Sequence, residues 1–286
     1  MMMTTPEAPQ AVQTFGFQQV DVFSDVPLRG NPLAVVENAD TLPDAKMAAL
    51  AHWTNLSETT FLLNPSQTDA DYRVRIFTPY SELPFAGHPT LGSCHVWLSS
   101  RVLPEGRDIL QECGAGLVRI RRDGNRLAFA APDLLRKGAV EPDLLAKIRK
   151  GLNLSEKDVV AAEWVDNGPG WLALLLKDRN DVLALKPDFA EIAGIRVGVV
   201  APTPGEDEVD FEVRAFSAAG FEDPVTGSLN AGIAQWLTGT GIAAPAYVAR
   251  QGTVLGRAGK VYVTRSDKDV WIGGDVVTCV KGQISL

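Results

Sequence analysis

The chain has 286 residues, 45% of them hydrophobic, and a formal net charge of −8. That size and apolar content fit a globular protein of one large or two ordinary domains, and the acidic balance argues against nucleic acid or an anionic membrane surface as partner. Three scattered cysteines, Cys94, Cys113 and Cys279, have no C-x-x-C spacing, which suits a reducing cytoplasm rather than a disulfide framework, and neither they nor the three histidines make a zinc pattern.

Residues 1–14 lack a basic n-region and a long apolar core, so they read as a loose tail rather than a secretory signal. Phe15 to Phe23 and Leu33 to Val36 have strand character, with the turn-rich Val26-Pro-Leu-Arg-Gly-Asn-Pro32 between them. Asp44 to about Trp53 is a helix, with Met47, Leu50 and Ala51 on one face. The run from Asn55 to Leu63 reads as a strand, as does Asp71 to Phe77. Val118 to Phe129 is a hairpin about Asp123-Gly124. Ala131-Pro132-Asp133 is the expected domain crossing. Beyond it come a helix over Asp143–Leu152, a strand over Trp171–Leu176 and a short helix over Pro187–Ala193. Strands follow at 197–200, 209–216, 247–249, 260–264 and 269–271, and the run from Val276 to Ile284 is expected to return to the first half.

Two stretches are copies of one another. Glu82-Leu-Pro84-Phe-Ala-Gly87-His88 recurs as Glu222-Asp223-Pro224-Val-Thr-Gly227-Ser228, and each runs on to a Trp-Leu pair. The Glu, Pro and Gly anchors all recur 140 positions on, while Arg75-Ile-Phe77 recurs as Arg214-Ala-Phe216 at one position less. A constant offset over several anchors is the mark of internal duplication. Residues 83–100 and 224–249 contain no Asp, Glu, Lys or Arg. A helix without a charged face is normally buried, so each motif reads as a polar turn entering a helix at the centre of its own half. Neither stretch has the unbroken apolar length of a membrane span. The expected fold is α+β: two pseudo-symmetric domains, each a curled, barrel-like mixed sheet around a central helix. The units run over 15–131, with a return strand at about 275–286, and over 132–274. A doubly wound parallel fold would need helices between strands throughout.

Two helix N-termini facing one cleft would present unpaired N–H groups and the positive ends of two dipoles, which suits a small carboxylate-bearing molecule. Gly87 and Gly227 would let backbone approach it. The bland alternative is that Asp223, Ser228 and His88 simply cap their helices. Glu58 lies in an otherwise uncharged run beside Phe61, Leu62 and Leu63. Such surroundings raise a carboxyl pKa and let the group give and take a proton near neutrality. An exposed Glu at a strand end fits the same spacing.

The segments Asp21-Val-Phe23, Gly30-Asn-Pro-Leu-Ala-Val35, Asn55-Leu-Ser-Glu-Thr-Thr-Phe61, Arg75-Ile-Phe-Thr-Pro79, the Gly87-His-Pro run, Gly220-Phe-Glu-Asp-Pro-Val-Thr-Gly-Ser228 and Gln251-Gly252 occur in one order over residues 15–286. In this the chain resembles the PhzF-like family of phenazine-biosynthesis isomerase-like proteins, which shares the diaminopimelate epimerase fold. The resemblance implies an active site between two similar domains, a homodimer and no cofactor. It implies Glu58 as the principal acid/base, with His88 and Asp223 placing or shuttling a proton. Gly87, Gly227 and Ser228 would hold the substrate, through its carboxylate.

The chain also departs from the pattern. Epimerases of this fold carry a cysteine pair at the two helix starts, where this chain has His88 and Ser228, so a two-thiol racemisation is not expected. Leu229 and Ala258-Gly259 depart too, which leaves pocket shape and substrate open. The expectation is a cofactor-independent, cytoplasmic isomerase with no metal, moving a proton within a small carboxylate-bearing metabolite. The rivals are an amino-acid racemase or epimerase using non-thiol groups, and a metabolite-binding protein without turnover.

Overall fold

A computed structural model describes residues 12–104, 106–205, 208–266 and 269–286. The expected tail lies mostly outside them, and Thr14 already belongs to the first strand. The first part of the chain forms β1 (Thr14–Val22), β2 (Asn31–Glu37), α1 (Asp44–Thr54), β3 (Thr59–Leu63), β4 (Tyr72–Phe77), the two-residue β5 (Glu82–Leu83), α2 (Gly87–Leu98), β6 (Ile109–Cys113), β7 (Gly116–Asp123) and β8 (Arg126–Ala130). Then come β9 (Arg136–Ala139), α3 (Pro142–Gly151), β10 (Val159–Asp166), β11 (Trp171–Leu176), α4 (Arg179–Ala184), β12 (Arg196–Pro202), β13 (Phe211–Phe216) and β14 (Glu222–Asp223). Last are α5 (Gly227–Gly239), β15 (Ala246–Gln251), β16 (Gly259–Ser266), β17 (Asp269–Gly274) and β18 (Val276–Ser285).

Strand pairing follows one scheme twice. β1–β2 is antiparallel, β2–β3 parallel, β3–β4 antiparallel, β4–β6 parallel, and β6–β7 and β7–β8 antiparallel. The same order of senses recurs along β10, β11, β12, β13, β15, β16 and β17. The two schemes meet where β8 pairs antiparallel with β17, while β18 pairs back onto β1 and β9 onto β10. The protein is thus α+β, with two pseudo-symmetric curled sheets, each wrapped about one central helix. Helix α2 packs on β1, β2, β3, β4, β8 and β18, and α5 on β10, β11, β16 and β17. With strands on so many sides, these helices have no use for a charged face. Two of the polar groups that α2 buries are paired: Ser93 donates to Thr60 at 2.9 Å, and Thr90 accepts from Gln111 at 3.0 Å.

The insertion between the sequence anchors has a physical cause. Phe77 pairs with Glu82 around residues 78–81, whereas Phe216 pairs with Glu222 around residues 217–221, a loop one residue longer. Each hairpin is clamped by the same bidentate ion pair. Arg75 Nε and a terminal nitrogen donate to Glu82 at 2.7 and 2.7 Å. The Arg214 fork donates to Glu222 at 2.9 and 2.7 Å. The paired Arg–carboxylate fork fixes direction as well as distance.

Two expectations fail locally. Pro187–Ala193 is not a helix: the Asp188 carboxylate accepts from the Ala190 and Glu191 N–H groups and holds a turn that ends at Gly194, at φ 77°. The helix of this connection is instead α4, whose Asp178 cap accepts from the Asn180 and Asp181 N–H groups. The strand expected from Asn55 begins only at Thr59, because Asn55 takes the left-handed conformation that terminates α1. Glu58 therefore sits in the turn before β3. No helix among the described residues is long and apolar enough to cross a membrane.

Candidate active site

The starts of α2 and α5 abut. A Cβ placed on Gly87 would lie 2.8 Å from the Gly227 Cα and 2.9 Å from a ring carbon of Phe129; one on Gly227 would lie 2.8 Å from the Gly87 Cα. Only glycine at both positions allows the two backbones this approach. Neither helix has a side-chain cap: the N-cap residues are Ala86 and Thr226, and neither makes a capping hydrogen bond. Asp223, Ser228 and His88 are thus not used as caps. The two helix starts thus meet at a shared junction, and no side-chain oxygen caps their first-turn N–H groups.

Glu58 lies against this junction. Its Oε2 is 3.3 Å from His88 Nε2, and the two side chains are only 15% and 5% exposed. The pair is close but not aligned for a hydrogen bond, so both atoms remain without a hydrogen-bond partner. Burial, helped by the negative charge of Asp223, pushes the Glu58 carboxyl up to about 8. Burial alone pushes His88 down to about 3, which keeps its imidazole neutral. Asp223 is pushed up to about 6 by burial, opposed by hydrogen bonds from Thr226, Asn31 and Ser57. Near neutrality the site therefore holds a protonated Glu58, an ionised Asp223 and a neutral His88. Glu58 and His88 come from the first half and Asp223 from the second, so the carboxyl pair exists only in the folded chain.

Several residues that sequence reasoning did not single out support this arrangement. Asn31, at the start of β2, donates to Asp223 Oδ1 at 3.1 Å and to the Val225 carbonyl at 2.9 Å, tying the second motif to the first half. Gln251 accepts from the Thr226 N–H at 3.0 Å and from Asn230 at 2.8 Å, and donates to the Asp223 carbonyl at 3.0 Å. The signal for these two was present, since both fall in the segments that carry the family resemblance. Ser228 Oγ accepts from Trp171 Nε1 at 3.1 Å, and Asn167 donates to the Ser228 carbonyl at 2.9 Å. Nothing in the sequence marks these two, because a Trp opening an apolar strand reads as core. Cys94 is fully buried, with its thiol pushed up to about 12 by desolvation, so it supplies no thiolate. Among the described residues no cluster of three or more His, Cys, Asp or Glu is arranged to hold a metal ion.

A family model described as phenazine biosynthesis-like protein matches residues 20–282. The chain belongs to that family. It is 37% identical over 292 residues to antisense-enhancing sequence 1 of Schizosaccharomyces pombe, covering 93% of this chain and 97% of that protein. It is 30% identical over 277 residues to the trans-2,3-dihydro-3-hydroxyanthranilate isomerase of Pseudomonas fluorescens, covering 93% of this chain and 98% of that one. A crystal structure of a PhzF family protein from Enterococcus faecalis superposes with a TM-score of 0.80 at 27% identity, over 96% of this chain and 100% of that one. A hydroxyproline epimerase from Agrobacterium vitis superposes with a TM-score of 0.56 at 15% identity, over 96% and 93% of the two chains, a likeness of fold alone. The protein is an enzyme of this isomerase family.

Proposed function

We propose that the protein is a cofactor-independent isomerase that shifts a proton within a small, carboxylate-bearing, cyclic or unsaturated metabolite. The observation that carries this reading is Glu58, a buried carboxyl held near pKa 8 beside a neutral histidine at the junction of two uncapped helix starts. In this scheme ionised Glu58 takes a proton from one carbon of the substrate. The electron pair left behind delocalises through the conjugated system toward the carboxylate, which the helix N–H groups and the Ser228 hydroxyl hold. Glu58 then returns the proton to a second carbon. The Asp223 charge adds to burial in raising the proton affinity of Glu58, and His88 helps to place or shuttle the proton. The working unit is read as a cytoplasmic homodimer, and its two domains as residues 15–131 with the return strand near 275–286, and 132–274.

The direct test is substrate turnover in heavy water. A panel of small cyclic and amino acids, led by trans-2,3-dihydro-3-hydroxyanthranilate, is incubated with the enzyme and read by mass spectrometry and proton NMR. The expected result is a rearranged product carrying solvent deuterium at the carbon that receives the proton. Deuterium entering only the α-carbon of an amino acid would replace this reading with an epimerase. Saturable binding of a panel member without any exchange would replace it with a binding protein.

The acid–base assignment also fixes a pH profile. Because the active form carries Glu58 without its proton, kcat/KM is expected to rise with pH and level off above about 8. The Asp223 charge raises Glu58, so Asp223→Asn is expected to move that limb to lower pH while lowering the plateau. A limb that stays in place in the variant would separate the two carboxyl groups.

A further inference from the structure

We infer that Trp171 fixes the direction in which the Ser228 hydroxyl donates, and thereby makes the α5 side of the junction selective for a ligand that presents an anionic oxygen there. This rests on reading Ser228 as a substrate-binding residue and adds the group that makes it so. Trp171 is 5% exposed, and its Nε1 lies 3.1 Å from Ser228 Oγ. An indole N–H only donates, so the hydroxyl must be the acceptor in this contact. The single hydroxyl proton therefore leaves Oγ on the side away from the indole. Among the described residues Ser228 Oγ makes no hydrogen bond as a donor.

A serine in the first turns of a helix ordinarily turns its proton back onto a carbonyl of the preceding turn, or accepts from a free N–H as a cap. The indole competes with both by occupying one acceptor position of the oxygen. The geometry is anchored at the backbone. Asp166 Oδ1 accepts from the Gly168 N–H at 2.7 Å and the Gly170 N–H at 2.6 Å, closing the turn between β10 and β11. That turn carries Asn167 at one end, donating to the Ser228 carbonyl, and delivers Trp171 at the other. The serine is thus held by its main chain and its side chain from a single tight turn. A hydroxyl fixed as a donor pairs with a carboxylate oxygen. It serves a ligand that itself brings N–H donors, such as a carboxamide, less well. Trp171 is a positioning residue, acting on substrate only through Ser228.

The test reads selectivity rather than stability. Anthranilate and its carboxamide, 2-aminobenzamide, are titrated by calorimetry into the full-length protein, Trp171→Phe, Ser228→Ala and the double variant. The wild type is expected to prefer the carboxylate. Trp171→Phe is expected to cut that preference by about fivefold, Ser228→Ala to cut it at least as far, and the double variant to go no further than Ser228→Ala alone. If Trp171→Phe does not fold, 3-benzothienylalanine at position 171 keeps the ring shape without the N–H and is read in the same way. A preference unchanged at position 171 but lost in Ser228→Ala would overturn the role of Trp171 and leave the Ser228 reading standing. Two effects that multiply in the double variant would overturn it equally. A wild type with no preference, or one unaffected by Ser228→Ala, would remove the Ser228 reading and this inference together.

Discussion

Glu58→Gln is expected to lower kcat on a confirmed substrate by about three orders of magnitude while making the folded protein more stable at neutral pH. The loss follows from removing the carboxyl that takes and returns the proton, with the side-chain shape kept. The gain follows from linkage. The folded-state pKa of Glu58 is raised from 4.5 to about 8. The native chain thus keeps a proton that the unfolded chain has released, and the native state loses stability as pH rises through that window. At pH 7 the penalty is on the order of 3–4 kcal/mol at about 1.4 kcal/mol per pH unit, and a neutral glutamine removes it. Thermal unfolding at pH 5 and pH 8 separates this from simple damage. The variant should match the wild type more closely at the lower pH and exceed it at the higher. A variant that is inactive and also less stable at pH 8 would mean that Glu58 holds the fold together rather than handling a proton. Turnover within a few-fold of wild type would end its assignment as the base.

The same residue shows where sequence reading stops. The scaffold was legible because its anchors repeat: Arg75 with Glu82, Arg214 with Glu222, and a glycine opening each charge-free helix. The chemistry was not duplicated with it. Thr59 stands opposite Phe77 on β4, and Val197 stands opposite Phe216 on β13, so the position equivalent to Glu58 is Arg196, an exposed residue. The first helix start carries His88 where the second carries Ser228. Another repeated position keeps opposite charges face to face but exchanges which strand carries which. Arg73 faces Glu112 across β4 and β6, whereas Glu212 faces Arg250 across β13 and β15, so comparing residue identities misses a match that the pairing makes plain.

What the sequence could not show was distance across the halves. Burial does most to raise the Glu58 pKa, but the added push comes from Asp223, which is held by Asn31 from the other half. Local pattern also misplaced the short elements. β9 and β10 were missed because their runs, Arg136–Ala139 and Val159–Asp166, are mostly exposed or half-buried and show no clean alternation. α4 was missed because it is only six residues long and depends on its Asp178 cap.

Gly227→Ala and Gly87→Ala are expected to destabilise the protein by about 3 kcal/mol each and to lower Tm by roughly 5–10 °C, against the usual direction for a helical glycine. Elsewhere, glycine to alanine in a helix gains up to about 1 kcal/mol, through propensity and a less mobile unfolded chain. Here the added methyl meets backbone. At 227 it would lie 2.8 Å from the Gly87 Cα and 3.2 Å from the His88 nitrogen, and at 87 it would lie 2.8 Å from the Gly227 Cα. No side-chain rotation relieves such contacts, so the helix starts must separate, and the clash outweighs the propensity gain. Separation also pulls His88 and Ser228 apart, so activity should fall more steeply than stability. Gly239→Ala is the internal control: it lies in α5, and its added carbon would find nothing nearer than an Arg265 nitrogen at 3.8 Å. Calorimetry of the three variants decides the matter. The control should equal or exceed the wild type, while both junction variants fall below it. A Gly227→Ala protein as stable as Gly239→Ala would show that the helix ends are not in contact, and the shared anion-binding junction would go with them.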